Sequence, residues 1–223
     1  MDHPITAAQF LEFWKQSFSK YLEKELAGNW DNKMLKTDKI IGPAYANSDQ
    51  SPIGNHLQTH FKAINLSYRT EDWKVDLALS SQTQHGPIQN MHLRDESVKF
   101  DDNWFYPRHY DILIEQENVM ELCYHEMIKL THLKARLKVL ITYNYEYPND
   151  SKEEAKTQQT IDFAIANFKR IINNANNDFP ENPATEYLLI IGQPKTKNGT
   201  TLISWEDFTF SYTGELKMAS SLR

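Results

Sequence analysis

From Thr6 onward the apolar positions recur at helical spacing, through Phe10, Phe13, Trp14, Phe18 and Tyr21. Thr6 with Gln9 forms a capping-box pair at the start of this run, and Gly28-Asn29 supplies a stop. The pattern predicts a helix from Thr6 to about Leu26. Residues 29–55 carry Gly42-Pro43 and Ser51-Pro52 and read as irregular. The period then changes to two. Ile64 to Arg69 reads as a strand, the polar Thr70-Glu71-Asp72 as a turn, and Trp73 to Ser80 as a second strand. In that second strand Val75, Leu77 and Leu79 alternate with Lys74, Asp76 and Ala78. Residues 81–109 are polar, contain Gly86-Pro87 and show no period, which predicts a long functional loop.

The remainder alternates between strand and helix. Tyr110–Gln116 (YDILIEQ) predicts a strand, about Asn118 to Leu133 a helix, and Leu137–Tyr145 a strong strand. Ser151 with Glu154 forms another capping-box pair. It opens a helix to about Asn173 with Ile161, Ala164, Ile165, Phe168 and Ile172 on one face. Tyr187–Ile191 and Thr200–Tyr212 read as a β pair joined at Lys197-Asn198-Gly199. The strand–helix–strand unit from Tyr110 to Tyr145 predicts a right-handed parallel crossover. The expected architecture is α/β: a mixed central sheet with helices on both faces, in a single domain of residues 1–223. A core of about residues 6–145 is expected to carry the C-terminal helix and β pair, 151–213, packed on it.

Composition narrows the class. Hydrophobic residues at 40% and aromatic residues at 12% suffice for a substantial core, and only 7 Gly and 9 Pro argue against disorder. No apolar run approaches the ~18 residues of a membrane helix. Met1-Asp2-His3-Pro4 lacks the basic flank and apolar stretch of a signal peptide, so a soluble, cytoplasmic protein is expected. A single cysteine, Cys123, excludes an internal disulfide and fits a reducing compartment as a buried structural thiol. The glycosylation-like triplets at Asn65, Asn149 and Asn198 then carry no meaning. A formal net charge of −6 weighs against nucleic-acid binding without excluding it, because a local groove or a metal ion decides such contacts.

The candidate chemistry is carboxylate-rich. Asp76 interrupts an apolar strand, and Glu115 and Glu117, two apart at the end of the third clear strand, share a face. A third carboxylate from a neighbouring strand completes an oxygen-rich set suited to Mg²⁺ or Mn²⁺. Without an ion, the three acids raise one another's pKa. On the following helix Val119, Cys123, Leu130 and Leu133 define an apolar face, with Glu126 in its middle and Lys129 at its edge. Glu126 there is either paired structurally with a sheet residue or, with Lys129, overhangs the acidic cluster.

The order helix–β–β–β–helix–β, with Asp76 on the second strand and E-x-E on the third, resembles the PD-(D/E)xK nuclease superfamily. The resemblance covers roughly residues 6–145. It implies a restriction-endonuclease-like fold in which acids bind a divalent metal and a lysine helps activate a water that attacks a phosphodiester. By that resemblance Asp76, Glu115 and Glu117 are the metal-binding and catalytic acids, and Lys129 is a relocated lysine. Glu126 and Glu25 stand behind them as supporting acids. Val75 in place of proline and Glu117 in place of lysine depart from the family pattern. The implied function is metal-dependent hydrolysis of DNA or RNA. The alternative is a non-catalytic member of the same fold that binds a protein or other ligand.

Other signals are weaker. His56 and His60 have the spacing of a zinc pair but lack the HExxH glutamate and a third ligand. Lys134, Arg136 and Lys138 alternate into a strand, where they either meet phosphates or are solvated. Walker, G-x-G-x-x-G and G-x-S-x-G motifs are absent.

Overall fold

The computed structural model describes residues 5–18, 67–72, 75–80, 83–85, 105–107, 110–117, 120–144, 151–197 and 200–222. The expected positions Glu25, His56 and His60 lie outside them.

Helix α1 spans Ala7–Phe13 and runs on as a π-helical turn, Trp14–Phe18. Its capping box forms as the sequence predicts. The Gln9 amide donates to Thr6 Oγ1 at 3.3 Å and the Thr6 amide donates to Gln9 Oε1 at 3.0 Å. Strands β1 (Ser67–Asp72) and β2 (Val75–Ser80) form an antiparallel pair. Strand β3 (Thr83–His85) pairs with β4 (Phe105–Pro107) in a small separate sheet, where the sequence reading expects only loop. Strand β5 (Tyr110–Glu117) is followed by a 3₁₀ turn at Met120–Leu122, then helix α2 (Cys123–Thr131) and strand β6 (Ala135–Tyr143). Helix α3 (Ser151–Asp178) leads to β7 (Glu186–Lys197), β8 (Thr200–Ser211) and β9 (Leu216–Leu222).

Seven strands join one sheet in the order β1-β2-β5-β6-β7-β8-β9. The three central strands are parallel and the flanking pairs are antiparallel, so the sheet is mixed, as expected. The strands predicted around Trp73–Ser80, Tyr110–Gln116 and Leu137–Tyr145 share it, with α2 connecting the last two. Strands β5, β6 and β7 are buried on both faces, which explains their near-continuous apolar runs.

The two faces differ. Helices α2 and α3 pack together over a face built from Leu113, Leu140, Leu189, Phe208 and Phe210, with Cys123, Met127, Leu130, Ile161 and Phe168 above it. Residues of the alternate set, such as Tyr143 and Trp205, turn to the other face. There Trp14 meets Trp205 edge-on at 5.3 Å between ring centroids, and Tyr143 lies 5.8 Å from the same indole. Gly192 sits beneath this aromatic group. A Cβ there meets Trp205 at 2.8 Å and Tyr143 at 2.9 Å. Each fully buried large side chain contributes roughly 1.5–3 kcal/mol of transfer free energy. Among the described residues no helix is long and apolar enough to cross a membrane.

Candidate functional site

The site lies where β2, β5 and α2 meet. The β2–β5 ladder pairs Ala78 with Leu113 and Leu77 with Ile114. The same antiparallel register, carried on by one residue, sets Asp76 opposite Glu115. Both therefore face α2, on the side of Leu113. The listed ladder ends here because the Asp76 carboxylate takes over from the main chain: the Gln116 amide donates to Asp76 Oδ2 at 2.7 Å. Gln116 itself turns to the opposite face, where its side-chain amide donates to the Tyr143 hydroxyl at 2.7 Å.

Glu115 is only 1% exposed, at the carboxyl end of a parallel strand. In open α/β sheets this end is where ligands bind. Above it, α2 presents Cys123, Met127 and Leu130 to the core. Met127, rather than Glu126, holds the centre of the apolar stripe. At 100° per residue, Glu126 and Lys129 fall about 60° and 120° to one side of Cys123. They descend together at the helix edge toward β5. The Lys129 ammonium contacts Glu115 Oε1 at 2.6 Å and also pairs with Glu126 three residues back. The Lys129 side chain is 28% exposed, so the group that touches the buried acid also reaches solvent.

Electrostatics follow from this placement. Burial is the main influence on Glu115 and disfavours its charge; the carboxylates of Asp76 and Glu126 act in the same direction. Lys129 opposes them through its hydrogen bond and its charge, but Glu115 is still pushed up to about 9. Burial works against the charge of Lys129, yet Glu115 and Glu126 together raise its pKa above the ordinary lysine value. Glu117, two residues beyond Glu115, is half-buried and pairs in register with Thr142.

The metal expectation can be set against these contacts. Mg²⁺ requires near-octahedral oxygen ligands at ~2.0–2.1 Å. Glu115 Oε1 faces an ammonium, and Asp76 Oδ2 accepts from a main-chain amide. Among the described residues no group of three or more His, Cys, Asp or Glu side chains is placed to hold a metal ion. As arranged, the acids fit a cation carried by the protein itself.

The other sequence candidates fall elsewhere. Cys123 is a free thiol, fully buried in the core beneath α2. Lys138 is not solvated: it is fully buried on β6, pairs with Glu181 and donates to the Tyr187 hydroxyl at 3.1 Å. Burial lowers its pKa, while Glu181 works in the opposite direction. Glu181 and Tyr187 were not singled out in the sequence. The one signal for such a partner is a lysine inside the apolar run Leu137–Ile141.

No family model matches the chain, and no curated protein matches it. Among solved structures the chain is similar to a carbon-nitrogen hydrolase from Helicobacter pylori G27. The TM-score is 0.38 and the identity 12%, over 92% of this chain and 82% of the other. At that level neither fold nor activity carries over. The nuclease resemblance is nevertheless corrected: the comparisons return no nuclease family, and the structural likeness found is to a different kind of enzyme. The physical reason lies in the site. The E-x-E reading needs carboxylates gathered on an ion, whereas Glu115 is engaged by Lys129 and Asp76 by the Gln116 amide. The restriction-endonuclease-like fold, phosphodiester hydrolysis and the non-catalytic version of that fold are withdrawn; the α/β class with a mixed, helix-flanked sheet stands.

Proposed function

We propose that this protein performs proton transfer on a ligand bound beside Glu115 and Lys129, at the carboxyl end of β5. One observation carries the reading: a carboxyl that is 1% exposed lies 2.6 Å from an amine that reaches solvent. Such a pair links an interior acid to a ligand outside it. Glu115 holds a proton through neutral pH and donates it through Lys129 or directly to the ligand. Asp76 stands opposite and favours the return of that proton to Glu115 by its charge. Glu126 keeps the Lys129 ammonium on Glu115. Strongly shifted acids at the ends of parallel strands are typical of working sites.

The test is a carbon-13 NMR titration of the glutamate carboxyls, with Glu115→Gln identifying the resonance. A Glu115 midpoint near 9 supports the reading, and one below about 6 sinks it. Alongside it, p-nitrophenyl acetate and a set of p-nitroanilides serve as probes. Any turnover by the wild type should fall on the order of 100-fold or more in Glu115→Gln at neutral pH.

A second reading rests on the doubled contact of Lys129, once to its own helix and once to the strand. There the pair is a clip that seats α2 on β5. Lys129→Met then changes stability and leaves any turnover intact.

A further inference from the structure

We infer that the Lys129 ammonium occupies the place of a divalent cation, so that removing it turns the surrounding acids into a metal site. The inference deepens the proton-transfer reading of the same cluster but is tested independently of it.

Two features of the contacts point to it. First, acids from three elements surround one position: Asp76 from β2, Glu115 from β5 and Glu126 from α2, with Lys129 in contact with the last two. Second, the contacts are those of a charge rather than of a directed donor. Glu115 Oε1 and Glu126 Oε2 are both buried and neither receives an aligned hydrogen bond, although each lies against the ammonium. A lysine side chain is a compact point charge on a flexible stem. Its head neutralises the cluster without satisfying the oxygens by geometry. A hard divalent ion carries twice the charge, and carboxylates bind it mono- or bidentately with water completing its shell. In the wild type the two cations compete for the same oxygens. The tethered one holds the advantage of proximity.

Deleting the ammonium while keeping the stem leaves Glu115 and Glu126 buried and uncompensated, which is costly unless another cation enters. Lys129→Met retains the stem's apolar packing and removes the charge.

The experiment is calorimetric titration of the full chain with MnCl₂ at pH 7, for the wild type, Lys129→Met and Lys129→Gln, with thermal unfolding used to verify folding of each. The expected result is one Mn²⁺ bound by each folded variant at least tenfold more tightly than by the wild type, and loss of that gain in Lys129→Met/Glu115→Gln. Affinity in the folded variants within twofold of the wild type, including no binding to any of them, overturns the inference. So does a gain that survives removal of Glu115. Neither result alters the NMR midpoint of Glu115 in the wild type, so failure here is distinct from failure of the proton-transfer reading.

Discussion

Lys138 and Tyr187 are register partners on the adjacent parallel strands β6 and β7, and the Lys138 ammonium donates to the Tyr187 hydroxyl at 3.1 Å while lying 4.9 Å from the ring centroid. Tyr187 in turn donates to Glu181 Oε2 at 3.2 Å, the carboxylate that also pairs with Lys138. A fully buried ammonium thus depends on one carboxylate from the connection between α3 and β7.

Removing that carboxylate alone should be costly. Glu181→Ala is expected to lower unfolding free energy by about 3 kcal/mol, because it strands a buried charge. In a Lys138→Met background the same change should cost less than about 1 kcal/mol. Urea unfolding of the four proteins, read as a double-mutant cycle, measures the difference. Equal costs in both backgrounds would mean that the ion pair does not hold the two residues together.

Stability should depend on pH through Glu115. Its folded pKa of about 9 lies above the ordinary 4.5, so between those values the folded state binds more protons than the unfolded state. Stability is therefore fully present below about pH 4.5 and is lost as pH rises toward 9. One proton limits the slope to about 1.4 kcal/mol per pH unit. Glu115→Gln should remove this dependence and make the protein more stable than the wild type near pH 9. Urea midpoints collected across this range would show it. A wild-type profile that rises with pH and is unchanged by Glu115→Gln contradicts the assignment.

Much of this fold was legible in the sequence, for reasons visible in particular residues. Thr6 and Gln9 are a local pair, and their capping box needs no tertiary information. The strands containing Val75–Ser80 and Tyr110–Glu117 announced themselves by alternation or by apolar runs that only burial explains. Strand β9 escaped because it is an edge: Leu216 and Met218 are 41% and 45% exposed, so LKMASSL carries no inside-outside contrast. Strands β3 and β4 are three residues each, too short to show a period. Helix α3 extends to Asp178, past the expected Asn173, along a polar stretch in which periodicity fades before the helix does. At the site, the nearness of Lys129 to the acids followed from helical spacing after β5. That the ammonium lies on Glu115 did not, because it depends on how α2 seats on the sheet, which Met127 decides by taking the core position. Lys138 was misread for a related reason. Alternating basic residues suggest a wet face, but β6 is central and both its faces are covered.

The β8–β9 turn should not tolerate a side chain at Gly214. Its φ of +81° is in the left-handed region, and an added Cβ would meet the Lys169 carbonyl of α3 at 2.5 Å. Gly214→Ala should cost roughly 2 kcal/mol, combining backbone strain with displacement of the turn from α3. At this chain length that corresponds to a fall in Tm of roughly 4–8 °C, measurable by scanning calorimetry. A shift under about 1 °C would show that the turn moves away from α3 without penalty.

Asp76 performs two tasks that substitution can separate. Its Oδ2 accepts from the Gln116 amide at 2.7 Å, and its charge raises the proton affinity of Glu115. Asparagine keeps an acceptor oxygen and loses the charge; alanine loses both. Asp76→Ala should therefore leave a part-buried amide without its acceptor, at a cost of about 1–3 kcal/mol. Asp76→Asn should cost well under that, since the ladder end stays closed. The two variants should nevertheless agree on Glu115. With the neighbouring charge gone its midpoint moves down from about 9 in both, though not to the ordinary carboxyl value, because burial is the larger cause and is unchanged. Urea unfolding measures the first effect and the carbon-13 titration the second. If Asp76→Asn leaves the Glu115 midpoint where it was, the carboxylates do not sense each other across the β2–β5 pair, and Asp76 serves only to close the ladder.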